Sequence, residues 1–133
     1  MPLYPYETTP LDQIPKMVRE ARATFATGRT LPLEWRLKNL NGLYDLVNDN
    51  KADIISALHA DLRKPTSETT VSEIAFVSNE CALSLDNLKS WMAPQSVEVQ
   101  FINKFDGCQI RPQPFGTSLV IGAWNYPIQL TLY

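Results

Sequence analysis

From Leu11 onward the apolar residues fall on one helical stripe after another. Leu11, Ile14, Val18, Ala21 and Phe25 recur three or four positions apart, the interval at which a helix presents a single face. Asp12 can cap this helix, Pro15 sits in a first turn that needs no donor, and Gly28 suits its stop. A second stripe, Leu33, Leu37, Leu40, Tyr44 and Val47, begins after Thr30 and Pro32 and dissolves at Asn48-Asp49-Asn50. A third, Ile54, Leu58 and Leu62, stops at Lys64-Pro65. The fourth and longest runs through Val71, Ile74, Val77, Cys81, Leu85, Leu88 and Met92, opened by Thr66-Ser67 and closed by Pro94. Charged groups such as Arg19/Glu20/Arg22 and Asp61/Arg63/Lys64 read as solvated faces of these helices.

At residue 97 the period shortens to two. Val97, Val99 and Phe101 alternate with Glu98 and Gln100, Asp106-Gly107 is a turn signal, and Cys108, Ile110 and Pro112 alternate on the return, so a β-hairpin is predicted. Pro112 and Pro114 lack donors and push the return strand to a sheet edge. After Phe115-Gly116-Thr117, the run Ser118-Leu119-Val120-Ile121-Gly122 has the composition of a strand buried on both faces, as in a parallel sheet. Trp124-Asn125-Tyr126-Pro127 breaks it, and Pro127 is placed to open a helix.

Charge sharpens this division. Of the 26 charged residues, all but Glu98, Lys104, Asp106 and Arg111 lie before residue 93, and Pro112 to Tyr133 carries none. That length without charge invites a transmembrane reading, but three prolines, Gln113, Asn125 and Gln129 argue against it. A segment to be buried inside protein fits better, and a chain ending within it is expected to continue in a longer parent. The net charge of −2 offers no field for nucleic acid or anionic lipid. Cys81 and Cys108 are too few for a disulfide framework, which points to a reducing compartment. The first residues do not have the form of a signal peptide, and the 133 residues suit one soluble, intracellular domain.

Few residues offer chemistry. His59 is the only histidine and has no partner base or nucleophile in its pattern. Cys81 lies on the apolar stripe of the fourth helix and reads as a buried hydrophobe, while nothing near Cys108 would lower its pKa. No metal-ligand spacing and no Gly-rich phosphate loop occur. The turn from Gly122 to Pro127 differs because of its place, since open α/β sheets bind ligands beyond the carboxyl ends of their strands. Asn125 offers a neutral amide donor there, suited to an oxyanion. On the residues alone the favoured reading is an ordinary turn or N-cap asparagine, with Trp124 as a core aromatic.

At this turn the sequence resembles the aldehyde dehydrogenase superfamily, specifically its class 3 family of fatty and aromatic aldehyde dehydrogenases. The segment Pro114 to Pro127, PFGTSLVIGAWNYP, resembles that family's first nucleotide-domain strand and catalytic loop. Residues 23–33, ATFATGRTLPL, resemble its first interhelical turn, and residues 57–64, ALHADLRK, the end of its third helix. The resemblance implies an α/β fold: N-terminal amphipathic helices (1–94), a hairpin of the oligomerisation element (95–114), and the first strand and catalytic loop of a Rossmann-like parallel sheet (115–133). It implies NAD(P)-dependent oxidation of an aldehyde through a thiohemiacetal. Asn125 would stabilise the oxyanion, Ile121, Gly122, Ala123 and Trp124 would run along NAD or NADP, and Tyr126 and Leu130 would line the aldehyde pocket. A homodimer is implied for the full-length parent, cytoplasmic, with membrane attachment only through a C-terminus absent here. Neither Cys81 nor Cys108 matches the family's nucleophile, and the base glutamate belongs beyond residue 133, so the chain alone is expected not to turn over. The alternative is a stand-alone helical interaction module whose hairpin binds a partner.

Overall fold

The computed structural model describes residues 8–100 and 107–133. Among them the chain is mostly helical with a small antiparallel sheet. The helices are α1 (Ile14–Ala26), α2 (Leu33–Asp49), α3 (Lys51–Leu62), α4 (Thr66–Thr69), α5 (Phe76–Trp91) and α6 (Gln129–Leu132), with a π-helical turn at Thr70–Ala75 joining α4 to α5. The strands are β1 (Gln95–Ser96) and β2 (Gln109–Ile110).

The predicted helices α1, α2 and α3 stand, with one local difference. Pro15 occupies the first turn of α1, but the cap position falls on Gln13, whose side chain makes no capping bond, and Asp12 stays outside. Gly28 ends α1 as expected: its φ is +73°, and its N–H donates to the Phe25 carbonyl at 3.0 Å. A β-carbon here would meet Leu31 at only 3.6 Å, so backbone strain alone opposes substitution. Gly28→Ala is therefore expected to cost about 1 kcal/mol in denaturant unfolding. A loss under a few tenths would show that the left-handed cap is not enforced.

Contact between α2 and α5 builds the centre of the core. Val47, Ile74, Val77 and Cys81 are buried together, and Leu43, Ile54, Ile55, Ile128 and Leu132 pack against them. The Asn48 side chain ties the pair further, donating to Ser78 Oγ at 3.1 Å. By contrast α1 buries none of its residues; Ile14 and Val18 of the predicted stripe remain exposed, as does Met17 beside them.

The fourth stripe departs from its expected phase. Val71 is 65% exposed, whereas Thr69, Glu73, Val77 and Cys81, four apart at each step, are buried. An ordinary α-helix rotates such a series off its face, because four residues exceed one turn. The π-helical turn takes up the surplus and keeps the upstream residues aligned with the core. Glu73 is thereby brought to zero exposure.

The hairpin prediction is met in part. Gln95 pairs with Ile110 and Ser96 with Gln109, antiparallel, but 97–100 form no strand, and the Phe101 and Asp106 positions lie outside the described residues. Ser118–Gly122, expected as a strand buried on both faces, joins no sheet among the described residues. Leu119 and Ile121 are each 84% exposed. The physical reason is the one that governs any parallel strand: its ladder and its cover come from neighbouring strands and crossovers, and these residues supply none.

Candidate functional site

The 123–128 turn is organised from a corner of the helical layer far away in sequence. Arg63, at the end of α3, adopts φ +55° and ψ +24°, a left-handed conformation that reverses the chain before Pro65. The reversal carries Lys64 into the protein, where it is 7% exposed, rather than onto the solvated face expected for Asp61/Arg63/Lys64. Its Nζ donates to Glu73 Oε1 at 2.5 Å and to the Asn125 backbone carbonyl at 2.9 Å. It also lies 3.7 Å from the centroid of the Tyr126 ring. Two hydrogen bonds and an aromatic face thus compensate a cation removed from water.

Glu73 completes the arrangement. Its second oxygen, Oε2, accepts the backbone N–H groups of Ile128 at 3.0 Å and Gln129 at 2.9 Å. These are donors at the start of α6 that have no helical partner of their own. Ile128 and Leu132, one turn apart, then set this short helix on the core, and Tyr133 meets Phe76 edge to face at 6.4 Å. Both oxygens of the buried carboxylate are therefore in use, one on the cation and one on the turn.

Asn125 is fixed through its backbone and free at its side chain. The carbonyl is held by Lys64, while the residue is exposed and its amide makes no hydrogen bond among the described residues. An anchored backbone with an unengaged neutral donor can act on developing negative charge without first breaking a protein contact. Tyr126, beside it, is half-buried, with its ring on Lys64 and its hydroxyl 3.4 Å from the exposed Glu68 carboxylate. Leu130 is 46% exposed on α6.

Ile121 and Trp124 project into solvent, each 84% exposed, and no backbone hydrogen bond among the described residues involves Leu119 to Trp124. Gly122 is set by packing: a β-carbon there would fall on Thr131 Oγ1 and within 3.1 Å of Thr131 Cβ. Gly122→Ala is expected to displace α6 and destabilise by about 1–3 kcal/mol. Thr131→Ala in the same chain should restore most of the loss, and an unfolding curve unchanged by Gly122→Ala alone would refute the contact.

Other candidates separate from this turn. Cys81 is buried, and burial first, then Glu80, pushes its thiol up, away from the thiolate a nucleophile requires. Cys108 is exposed, and the described residues contain no disulfide partner for it. His59 stands exposed on α3. A cavity of about 690 Å³ lies among Phe25, Leu31, Arg36, Leu88, Trp91 and Pro112–Pro114, and it shares no lining residue with the Asn125 turn. Among the described residues no group of three or more His, Cys, Asp or Glu could hold a metal. No described helix is long and apolar enough to cross a membrane.

Lys64 and Glu73 are the residues that sequence reasoning missed. A faint signal existed for each: a lysine wedged between a helix stop and a proline, and a carboxylate directly beside Ile74 near the start of the longest stripe.

Residues 4–133 match the sequence profile of the aldehyde dehydrogenase family. The chain is 39% identical over 129 residues to beta-apo-4'-carotenal oxygenase of Neurospora crassa, covering 96% of this chain and 24% of that protein. It is 39% identical to human aldehyde dehydrogenase family 3 member B1, covering 92% of this chain and 26% of the relative. Among solved structures, a substrate-bound Staphylococcus aureus AldH superposes with a TM-score of 0.87 at 28% identity, over 90% of this chain and 26% of the other. The chain spans about a quarter of the length of these relatives. With both the profile and the helical scaffold in agreement, this chain belongs to the aldehyde dehydrogenase family.

Proposed function

We propose that this chain forms the oxyanion side of the active site of an NAD(P)-dependent aldehyde dehydrogenase that oxidises fatty and aromatic aldehydes to acids. The observation that carries the reading is Asn125: its carbonyl is tied to the buried Lys64, and its side-chain amide is left unengaged on an exposed turn. In this reading the amide donates to the aldehyde oxygen as negative charge develops there. Orientation costs little at that moment, because the turn is already fixed.

Ile121 to Trp124 suit a dinucleotide ligand. Their apolar side chains and unpaired backbone groups offer a flat ring both a surface and hydrogen bonds, while Gly122 keeps the strip close to α6. NAD or NADP, when bound, supplies the hydride acceptor. Leu130 and the outer edge of Tyr126 lie on the same turn and first helical residues, where an aldehyde tail would pass. The domain reading follows: helices over 1–94, an oligomerisation hairpin over 95–114 in a homodimeric parent, and a first Rossmann-like strand with its catalytic loop over 115–133. The exposed apolar run from Leu119 to Trp124 favours this over a self-contained interaction module, since a strand awaiting sheet neighbours accounts for it.

Nucleophile and base come from outside these residues, Cys81 being buried with a raised pKa. The test is aldehyde-dependent reduction of NAD and NADP by a full-length enzyme whose amino-terminal part is this chain, beside the 133-residue chain alone. Turnover is expected only in the former. Turnover by the short chain, or none by the full-length enzyme with any aliphatic or aromatic aldehyde, overturns the reading.

A further inference from the structure

The geometry points to a buried Lys64–Glu73 pair that acts as a positioning device for Asn125, setting the catalytic turn through its backbone; this rests on the oxyanion role proposed above. The pair is distinguished from a simple structural ion pair by where its remaining bonds go. Lys64 is in contact with Glu73 and is also bound to the carbonyl of Asn125 itself. Glu73 holds that lysine with one oxygen and the N–H groups of Ile128 and Gln129 with the other. The turn is thus held before and after Pro127, at the residue proposed to hold the oxyanion and at the start of the helix that follows. Tyr126, between them, lays its ring on the same ammonium. Asn125 is exposed, so no side-chain packing fixes its direction; the hold on its backbone does. Neither Lys64 nor Glu73 reaches the solvent from which substrate would arrive, Glu73 being wholly buried and Lys64 nearly so. They are positioning residues that act through Asn125.

Removing Glu73 outright would leave Lys64 buried without its partner and threaten folding, so the test uses Lys64→Met/Glu73→Gln. Methionine fills the lysine's space without donating, and glutamine keeps an oxygen for Ile128 and Gln129, so the cap of α6 persists while the bond to Asn125 is lost. In a full-length enzyme carrying this chain, the double variant is expected to fold with near-parental thermal unfolding. Its kcat should fall about 10²-fold, the loss associated with a misplacement of about 1 Å, with the KM for NAD(P) unchanged. Combined with Asn125→Ala it should be no slower than Asn125→Ala alone, because both changes disable one donor. A folded double variant with parental kcat, or losses that multiply in the combined variant, overturns the positioning role while leaving Asn125's own role intact. An Asn125→Ala enzyme as fast as its parent overturns the oxyanion role and this inference together.

Discussion

Asn125→Ala, in a full-length enzyme built on this chain, is expected to lower kcat by about 10²–10³-fold, the loss observed when an oxyanion donor is removed. The change should be nearly silent structurally. The side-chain amide makes no hydrogen bond among the described residues and is exposed, while the backbone carbonyl that binds Lys64 survives the substitution. Loss of rate without loss of fold is the signature of an interaction formed only as charge develops, and kcat should fall together with kcat/KM for the aldehyde. Steady-state kinetics paired with thermal unfolding separate the cases. A raised KM at constant kcat would make Asn125 a ground-state binding residue, and a collapse of folding would make it structural.

Glu73→Ala is expected to produce the largest loss of stability of any single substitution in the described residues, about 3–5 kcal/mol in denaturant unfolding. The substitution leaves the Lys64 ammonium buried without its carboxylate, frees the donors of Ile128 and Gln129, and opens space beside Ile74. Glu68→Ala provides the contrast. Glu68 is exposed and meets the Tyr126 hydroxyl only at 3.4 Å, so its loss should fall within about 0.5 kcal/mol. Equal effects at the two glutamates would mean that the turn draws no stability from the buried pair.

Periodicity made α1, α2 and α3 legible, with Pro15, Pro32 and Gly28 marking their ends, because each is a local signal read within a turn or two. The long helix was legible as a helix but not in phase. A stripe is counted at 3.6 residues per turn, and the π-helical turn at Thr70–Ala75 breaks that count, exposing Val71 and burying Glu73. Lys64 looked like part of a solvated charged face because nothing but a left-handed arginine, an uncommon conformation for that residue, turns it inward. The place of Asn125 at the end of an apolar β-branched run, on an exposed turn, was legible. What holds it was not: Lys64 stands 61 residues earlier, and no local pattern links the two. The 118–122 run read as a doubly buried strand for a sound reason, yet burial belongs to a completed sheet, and the residues here leave Leu119 and Ile121 in water.

The two halves of the buried device differ in age during synthesis. Lys64 and Glu73 are nine positions apart and can meet as soon as the corner between α3 and α4 forms. Asn125 follows Lys64 by 61 residues, and Ile128 follows Glu73 by 55. At roughly 5–20 residues per second a ribosome needs roughly 3–12 s to span that interval. Over that interval the contact between lysine and glutamate is open to the chain, whereas their bonds to Asn125, Ile128 and Gln129 must wait for the last residues.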